Sequence, residues 1–261
     1  IVSDETKKAE FISDSLWFDS AKIHVRMLND RARTASYLSA IREVVKPGDV
    51  VIDMGTGSGV LALAAAQAGA SRVYALEAGA IGKSAVANFA ANGFADRITL
   101  VQGWSTQINL PERADVLVSE IIGSDPLGER VLECTADAVT RMLKPDARLL
   151  PARLLIYGLP VAIPETEISR HTFTDKSIKK WQRWYGMDFS PMVSIAKQNP
   201  PLLYVKSVRA RRFDALAEPV LLADVEFRAA KELVIDNSRT VQACRSARMN
   251  GVIVYFELEL S

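Results

Sequence analysis

The sequence has little of what staples a small secreted domain or builds a metal site. Its 261 residues include only two cysteines, Cys134 and Cys244, too few for a disulfide framework or a zinc site. The two histidines, His24 and His171, add no convincing cluster, so no metal is expected. Charge of one sign is lacking too: Lys plus Arg number 32 and Asp plus Glu 31. No whole-chain field draws the protein to nucleic acid or to a membrane, and neither is expected as a partner. No apolar run approaches the ~20 residues that span a bilayer. The opening residues Ile1 to Lys8 carry no apolar signal-peptide segment. A reducing, cytoplasmic setting is expected, or the nucleus in a eukaryote. Internal repeats and low-complexity stretches are absent. Ile1 is not an initiator methionine, and Ser261 directly follows the strand-like run Val252 to Leu260. A piece of a longer chain is therefore expected.

What is present is ordinary globular composition, 49% apolar and 24% charged, which argues against disorder. Residues 15–45 read as helical, with Ile23, Met27 and Leu28 at turn spacing. Val50-Val51-Ile52 is a short buried strand running into Asp53-Met54-Gly55-Thr56-Gly57-Ser58-Gly59. A helix from Val60 to Ala68, a strand Val73–Leu76 ending at Glu77, and a helix from about Ile81 to Asn92 follow. Strands at Ile98–Val101 and Val116–Val118 come next, then a helix from about Glu129 to Met142 stopped by Lys144-Pro145-Asp146. Strand–helix alternation with short connections predicts an α/β fold with a doubly wound, Rossmann-like parallel sheet. Its ligand edge lies at the strand C-termini. The character changes near Pro151. Strand runs at Leu154–Tyr157, Val220–Phe227 and Gly251–Leu260 surround a helical stretch from Ser177 to Tyr185. This second half reads as mostly β with a helical insertion.

The glycine turn is the strongest single signal. Glycines let the chain turn sharply after a strand and let backbone approach a ligand. Here the spacing is G-x-G-x-G, because Val60 stands where the dinucleotide motif has its third glycine. Asp53 lies two residues before Gly55. A carboxylate there repels a pyrophosphate but suits a ligand bearing an ammonium and a sulfonium, which favours S-adenosylmethionine over NAD. Glu77, at a strand end 22 residues after Gly55, suits the two hydroxyls of a ribose. Read singly, the turn is a structural glycine turn or a nucleotide loop, and Glu77 a solvated or a ligand-binding acid. Together in a βαβ frame they favour the ligand.

Ser119-Glu120-Ile121-Ile122-Gly123-Ser124-Asp125-Pro126-Leu127-Gly128-Glu129 resembles the double-E loop of protein arginine methyltransferases, its two glutamates nine residues apart. The resemblance implies that Glu120 and Glu129 are the catalytic pair that grips a substrate guanidinium. The chemistry fits. A guanidinium stays protonated and is a poor nucleophile. Carboxylates accepting its N–H bonds orient one nitrogen and draw the charge toward the others. Two surface glutamates, one at a helix start where an acid suits the dipole, are the alternative.

The resemblance is collinear over nearly the whole chain. Leu16-Trp17-Phe18-Asp19-Ser20 and His24 to Thr34 are similar to the family's cofactor-covering helices. By that likeness Arg33 pairs with the cofactor's methionine carboxylate, His24 sits close by and Met27 packs near the reacting methyl. Gly103-Trp104-Ser105-Thr106 stands at the adenine segment, which adds Trp104 and Ser105 to Asp53, Gly55, Gly57 and Glu77 as cofactor-binding residues. Thr106 replaces the usual acid. Trp181 to Ser190 is similar to the dimerisation arm, here about 177–199, and a homodimer through about 181–190 is expected. The implied organisation is 1–45 covering helices, 46–150 cofactor domain and 151–261 β-barrel-like substrate domain.

Departures are equally legible. Trp17-Phe18-Asp19-Ser20-Ala21 replaces the family's Tyr-Phe-x-x-Tyr, and Ile122-Gly123-Ser124 replaces Met-Gly-Tyr. The loop thus looks more like that of the divergent members that make monomethyl or symmetric dimethyl arginine. No Thr-His-Trp triplet is found, which deprives Asp30 of its family partner. The expected activity is methyl transfer from S-adenosylmethionine to a guanidinium nitrogen of arginine in proteins. Free arginine or a small guanidine as substrate, and an inactive binding module, are the alternatives.

Overall fold

The computed structural model describes residues 19–198, 202–230 and 234–260, without the side chains of 195–198. Leu16, Trp17 and Phe18 of the first motif lie outside the described residues. The chain divides into two compact units. The first runs to Leu155 and takes in Ala223–Asp236 and the residues from Phe256; the second is Ile156–Leu222 with Asn237–Tyr255.

In the first unit, α1 (Ala21–Asn29) and α2 (Arg31–Val44) precede β1 (Val50–Met54). Then come α3 (Val60–Gln67), β2 (Arg72–Glu77), α4 (Gly82–Ala91), β3 (Ile98–Gln102) and β4 (Ala114–Ser119). Next are α5 (Val131–Arg141) and β5 (Leu143–Leu150). The five strands form one sheet in the order β3-β2-β1-β4-β5, all parallel. β1 is buried at all five positions, as a central strand covered on both faces must be. Chain order reverses between β1 and β4, so the crevice outside their C-termini is the topological switch point. One apolar layer between the sheet and its flanking helices joins Ile41, Val51, Ala65, Val73, Phe89, Val116 and Val118.

Within the stretch that reads as helical, α1 and α2 are separated at Asp30, which caps α2 by accepting from the Arg33 amide at 3.2 Å. Two expectations are corrected. The helix expected from Glu129 starts at Val131. Lys144-Pro145-Asp146 is part of β5 and not a stop. β5 ends the sheet order, and an edge strand tolerates proline because one side needs no amide donor.

The remaining strands are β6 (Arg153–Ala162), β7 (Asp214–Ala215), β8 (Val220–Glu226) and β9 (Gly251–Glu259). They form a four-stranded sheet, β7-β6-β8 with β9 also on β6. Burial alternates along most of β6, the period of a strand with one face covered. In the second unit α6 (Glu165–His171), α7 (Asp175–Tyr185), α8 (Pro191–Gln198) and α9 (Ser207–Ala210) lie between β6 and β7. The helical insertion expected from Ser177 is thus α7 and α8, and α7 opens two residues earlier under a Thr174 cap.

Candidate active site

The turn after β1 is built by its own acid. Asp53 is 1% exposed, and its Oδ2 accepts from Thr56 Oγ1 at 2.5 Å and from the Ala62 amide at 3.0 Å. Burial raises its carboxyl to about 6, against the pull of those hydrogen bonds. The sequence reading set Asp53 against a ligand ammonium; in the structure this oxygen fastens the turn to the first turn of α3. Gly55, Gly57 and Gly59 all take positive φ. A Cβ on Gly59 would collide with the Phe89 ring and one on Gly55 with the Ile121 side chain, while one on Gly57 would press against the His24 ring at 3.1 Å. His24, buried on α1, therefore closes over the glycine turn, as a covering helix should.

Glu77 ends β2, half-buried, with Oε2 accepting from the Gly57 amide at 2.9 Å and Oε1 from the Gly79 amide at 2.7 Å. Its carboxylate thus sits where the first two strand–helix turns meet. Asp19 borders the same corner, its Oδ1 accepting from the Ile81 amide at 3.1 Å. The Gly103 amide donates to the Glu77 carbonyl at 2.8 Å, which brings the β3 end alongside. Trp104 and Ser105 follow it, both half-buried, and the Ser105 carbonyl accepts from Arg141 at 3.0 Å.

The second cluster lies at the C-terminus of β4. Glu120 Oε1 accepts from Arg33 Nη1 at 3.1 Å, and Arg33 Nη2 donates to the Met27 carbonyl at 3.1 Å. Burial pushes the Glu120 carboxyl up, the Arg33 guanidinium pulls it down and the Glu129 charge raises it again; it stands at about 7. Its side chain is 12% exposed. Glu129 and Arg130 both take left-handed backbone, φ 53° and 56°. Non-glycine residues in that region store about 1–3 kcal/mol of strain, typical of sites that must aim a group. The strain holds Glu129 out of helix α5. Its Oε1 lies against Gly123, where a Cβ would stand 2.5 Å from it. A side chain at 123 would displace the second carboxylate of the double-E loop from this position.

Two residues escaped the sequence reading. Tyr37 is buried and donates from its hydroxyl to the Ser119 carbonyl at 3.2 Å, fixing α2 against the end of β4. Burial first, and the Glu120 charge second, raise its phenol well above the ordinary value. The Ser119 hydroxyl is buried and has no partner among the described residues. A tyrosine mid-helix gives no sequence signal for such a contact. The serine beside Glu120 did stand in the quoted motif. All nine expected cofactor residues and both glutamates fall in the first unit, on the β1, β2, β3 and β4 ends and the helices α1 and α2.

The double carboxylate beside a glycine turn points to a methyl-transfer site, and comparison with known proteins decides the family. A profile described as ribosomal protein L11 methyltransferase (PrmA) matches residues 30–190. One for the arginine methyltransferase oligomerization subdomain matches 165–261. Protein arginine N-methyltransferase 1 of Schizosaccharomyces pombe is 31% identical over 253 residues, 94% of this chain and 71% of the relative. The chain belongs to the protein arginine N-methyltransferase family.

Other arginine methyltransferases agree. Probable protein arginine N-methyltransferase 6 of Arabidopsis thaliana is 33% identical over 247 residues, 92% of this chain and 54% of that protein. The chain spans about half the length of several curated relatives it matches. Among solved arginine methyltransferases, the Trypanosoma brucei PRMT1 enzyme–prozyme heterotetramer with AdoHcy superposes with a TM-score of 0.70 at 26% identity. That match covers 82% of this chain and 65% of the other. Arabidopsis thaliana protein arginine methyltransferase 10 gives 0.79 at 24% identity, over 94% and 74% of the two chains, and bears on the fold alone. The expected architecture of a methyltransferase sheet followed by an antiparallel sheet is thereby established.

Proposed function

We propose that this chain is the catalytic part of an S-adenosylmethionine-dependent N-methyltransferase acting on a guanidinium nitrogen of arginine in proteins. The observation that carries the reading is the Arg33–Glu120 pair: the first glutamate of the double-E loop already bonds a guanidinium at 3.1 Å. The carboxylates suit that cation in charge and in fork geometry. When bound, S-adenosylmethionine supplies an electrophilic methyl on a sulfonium. The residues present fit it. The glycine turn leaves a cradle beside His24, and Glu77 offers carboxylate oxygens at the β2 end for a ribose. Arg33 has five N–H donors, so besides Glu120 and Met27 it can meet a ligand carboxylate. Trp104 and Ser105 stand for the adenine. Asp53 acts from beneath by holding the turn.

Glu120 and Glu129 then hold the acceptor guanidinium and fix its rotation, which otherwise smears the attack direction. The nitrogen that gains the methyl must shed one N–H proton. Glu120, standing at about 7, is the matched acceptor. Dimerisation through 181–190 belongs to the same reading. Trp184, Tyr185 and Met187 are each about 60% exposed, while Trp181 and Tyr185 pack edge-on to Phe189. Such an apolar patch in a segment matched by an oligomerization profile supports a second copy as its cover. Trp181→Ala with Tyr185→Ala should sediment as monomer where the parent is a dimer. A parent that is monomeric at high concentration removes the arm assignment.

The test of the activity is product analysis. Labelled S-adenosylmethionine is supplied with arginine-bearing peptides and, separately, with free arginine. Methyl found on peptide guanidinium is the expected result; methyl on free arginine alone replaces protein with a metabolite as substrate. No transfer to either leaves a binding module.

A further inference from the structure

The near-zero net charge of the chain conceals a separation. The second unit holds thirteen Lys and Arg against six Asp and Glu; the rest of the chain holds nineteen against twenty-five. Within the second unit the imbalance concentrates after the arm, where the sequence carries Lys206, Arg209, Arg211, Arg212, Arg239, Arg245 and Arg248 but of acids only Asp214 and Glu218. The fold brings sequence-distant parts of this stretch, 206–214 and 244–245, together with the start of α6. β7 pairs with the end of β6, Val161 on Ala215 and Ala162 on Asp214, so the 206–214 segment lies beside the start of α6. There Arg209 and Arg170 both reach the Glu167 carboxylate, at 3.3 and 2.9 Å, although 57% and 60% exposed. From the other side Arg245 reaches Asp214 at 3.2 Å, and the Cys244 amide donates to the Leu216 carbonyl at 2.8 Å. Lys206, Arg211, Arg212 and Arg248 are exposed and make no ion pair among the described residues.

We infer that this basic face docks an acidic peptide segment, one carried by the protein whose arginine is methylated. The inference rests on the proposed activity for the word substrate, and on the surface alone for the binding. Two observations select a peptide. The face's own arginines already clasp carboxylates, Glu167 and Asp214, so their reach suits Asp and Glu side chains. Those same acids interrupt the field. A strand of nucleic acid asks for an unbroken cationic groove with aromatic stacking platforms along it. The arrangement also makes electrostatic sense. An arginine-rich target is drawn to the acidic remainder of the chain and repelled by this face, unless acids accompany the target arginine.

The test uses fluorescence anisotropy of three labelled probes on the full chain: a glutamate-rich peptide, a neutral peptide of equal length and a single-stranded oligonucleotide. The variant is Arg211→Gln, Arg212→Gln, Arg248→Gln together. These three break no described ion pair, and a melting curve verifies folding. The glutamate peptide should bind best and weaken steeply between about 0.05 M and about 0.3 M salt. It should lose about tenfold in affinity on the triple variant. The same variant should raise KM for an arginine peptide bearing a glutamate tract, and leave KM for the tract-free peptide and kcat for both unchanged. A glutamate peptide binding no better than the neutral one, or an oligonucleotide binding better than either peptide, overturns the inference. Because anisotropy needs no turnover, a failed methyl-transfer assay with intact glutamate binding would count against the activity and not against this surface.

Discussion

Glu120→Gln should stabilise the cofactor-free protein at alkaline pH, by an amount the structure allows to be worked out. The Glu120 carboxyl is nearly buried, and it stands at about 7 against an ordinary 4.5. Burial is the largest cause, so the ionised form is the one the folded state disfavours. The folded protein therefore holds the proton longer than the unfolded chain does. Stability is greatest below the unfolded value and falls as pH rises through the window from 4.5 to about 7. Above that window the loss levels off at about 3 kcal/mol, at roughly 1.4 kcal/mol per pH unit of displacement. Glutamine keeps the shape and stays neutral, so it escapes the loss. Asp53 shifts in the same direction but is common to both proteins, so it cancels in the difference. Thermal unfolding of parent and variant between pH 5 and pH 8.5 is the assay. The variant should gain roughly 6–12 °C at the alkaline end, and the gap should close toward pH 5. Identical midpoints across the range would mean that Glu120 is solvated and that its pairing with Arg33 is a surface contact.

Three further outcomes follow from named contacts. Arg33→Met removes the cation nearest Glu120, so the acid limb of kcat/KM should move to higher pH, with Arg33→Lys restoring part of the shift; an unmoved limb would separate Arg33 from Glu120 ionisation. Gly59→Ala adds a Cβ against Phe89 at left-handed backbone and should cost about 2–4 kcal/mol in chemical denaturation; no loss would show that the turn relaxes freely. Gly123→Ala should crowd the Glu129 carboxylate and lower turnover while leaving cofactor affinity, measured by titration calorimetry, at the parental value; a parental kcat would mean that Glu129 acts from elsewhere.

Much of the frame was legible because it is written in local chemistry. Val50-Val51-Ile52 followed by three glycines specifies a buried strand and a turn whose φ values only glycine adopts cheaply. The glutamate pair was legible as a spacing. Contacts between distant segments were not. The Arg33–Glu120 bond joins residues 87 apart, and the reading of Arg33 as a ligand for the cofactor alone missed it. Asp53 was legible as important but not as a turn fastener, since its partners are a hydroxyl and an amide that no pattern singles out. Pro145 was misread because a proline stops a helix but is tolerated on a sheet edge, and edge position is a property of the whole sheet. Asp30 was the reverse case: its capping role was available locally, and helical periodicity over 15–45 obscured it.

The central claim is that Glu120 and Glu129 act as one clamp on the acceptor guanidinium. The most direct measurement is labelled-methyl transfer from S-adenosylmethionine to an arginine peptide by the parent, Glu120→Gln and Glu129→Gln, with cofactor affinity taken by calorimetry on the same preparations. Each substitution should lower turnover by roughly 10²–10³-fold, the scale for removing a preorganised electrostatic partner. Cofactor affinity should be nearly unchanged for Glu129→Gln, which keeps the shape of the side chain and removes only the charge that serves the acceptor. Near-parental turnover in both single variants would contradict the account and place the acceptor at another site.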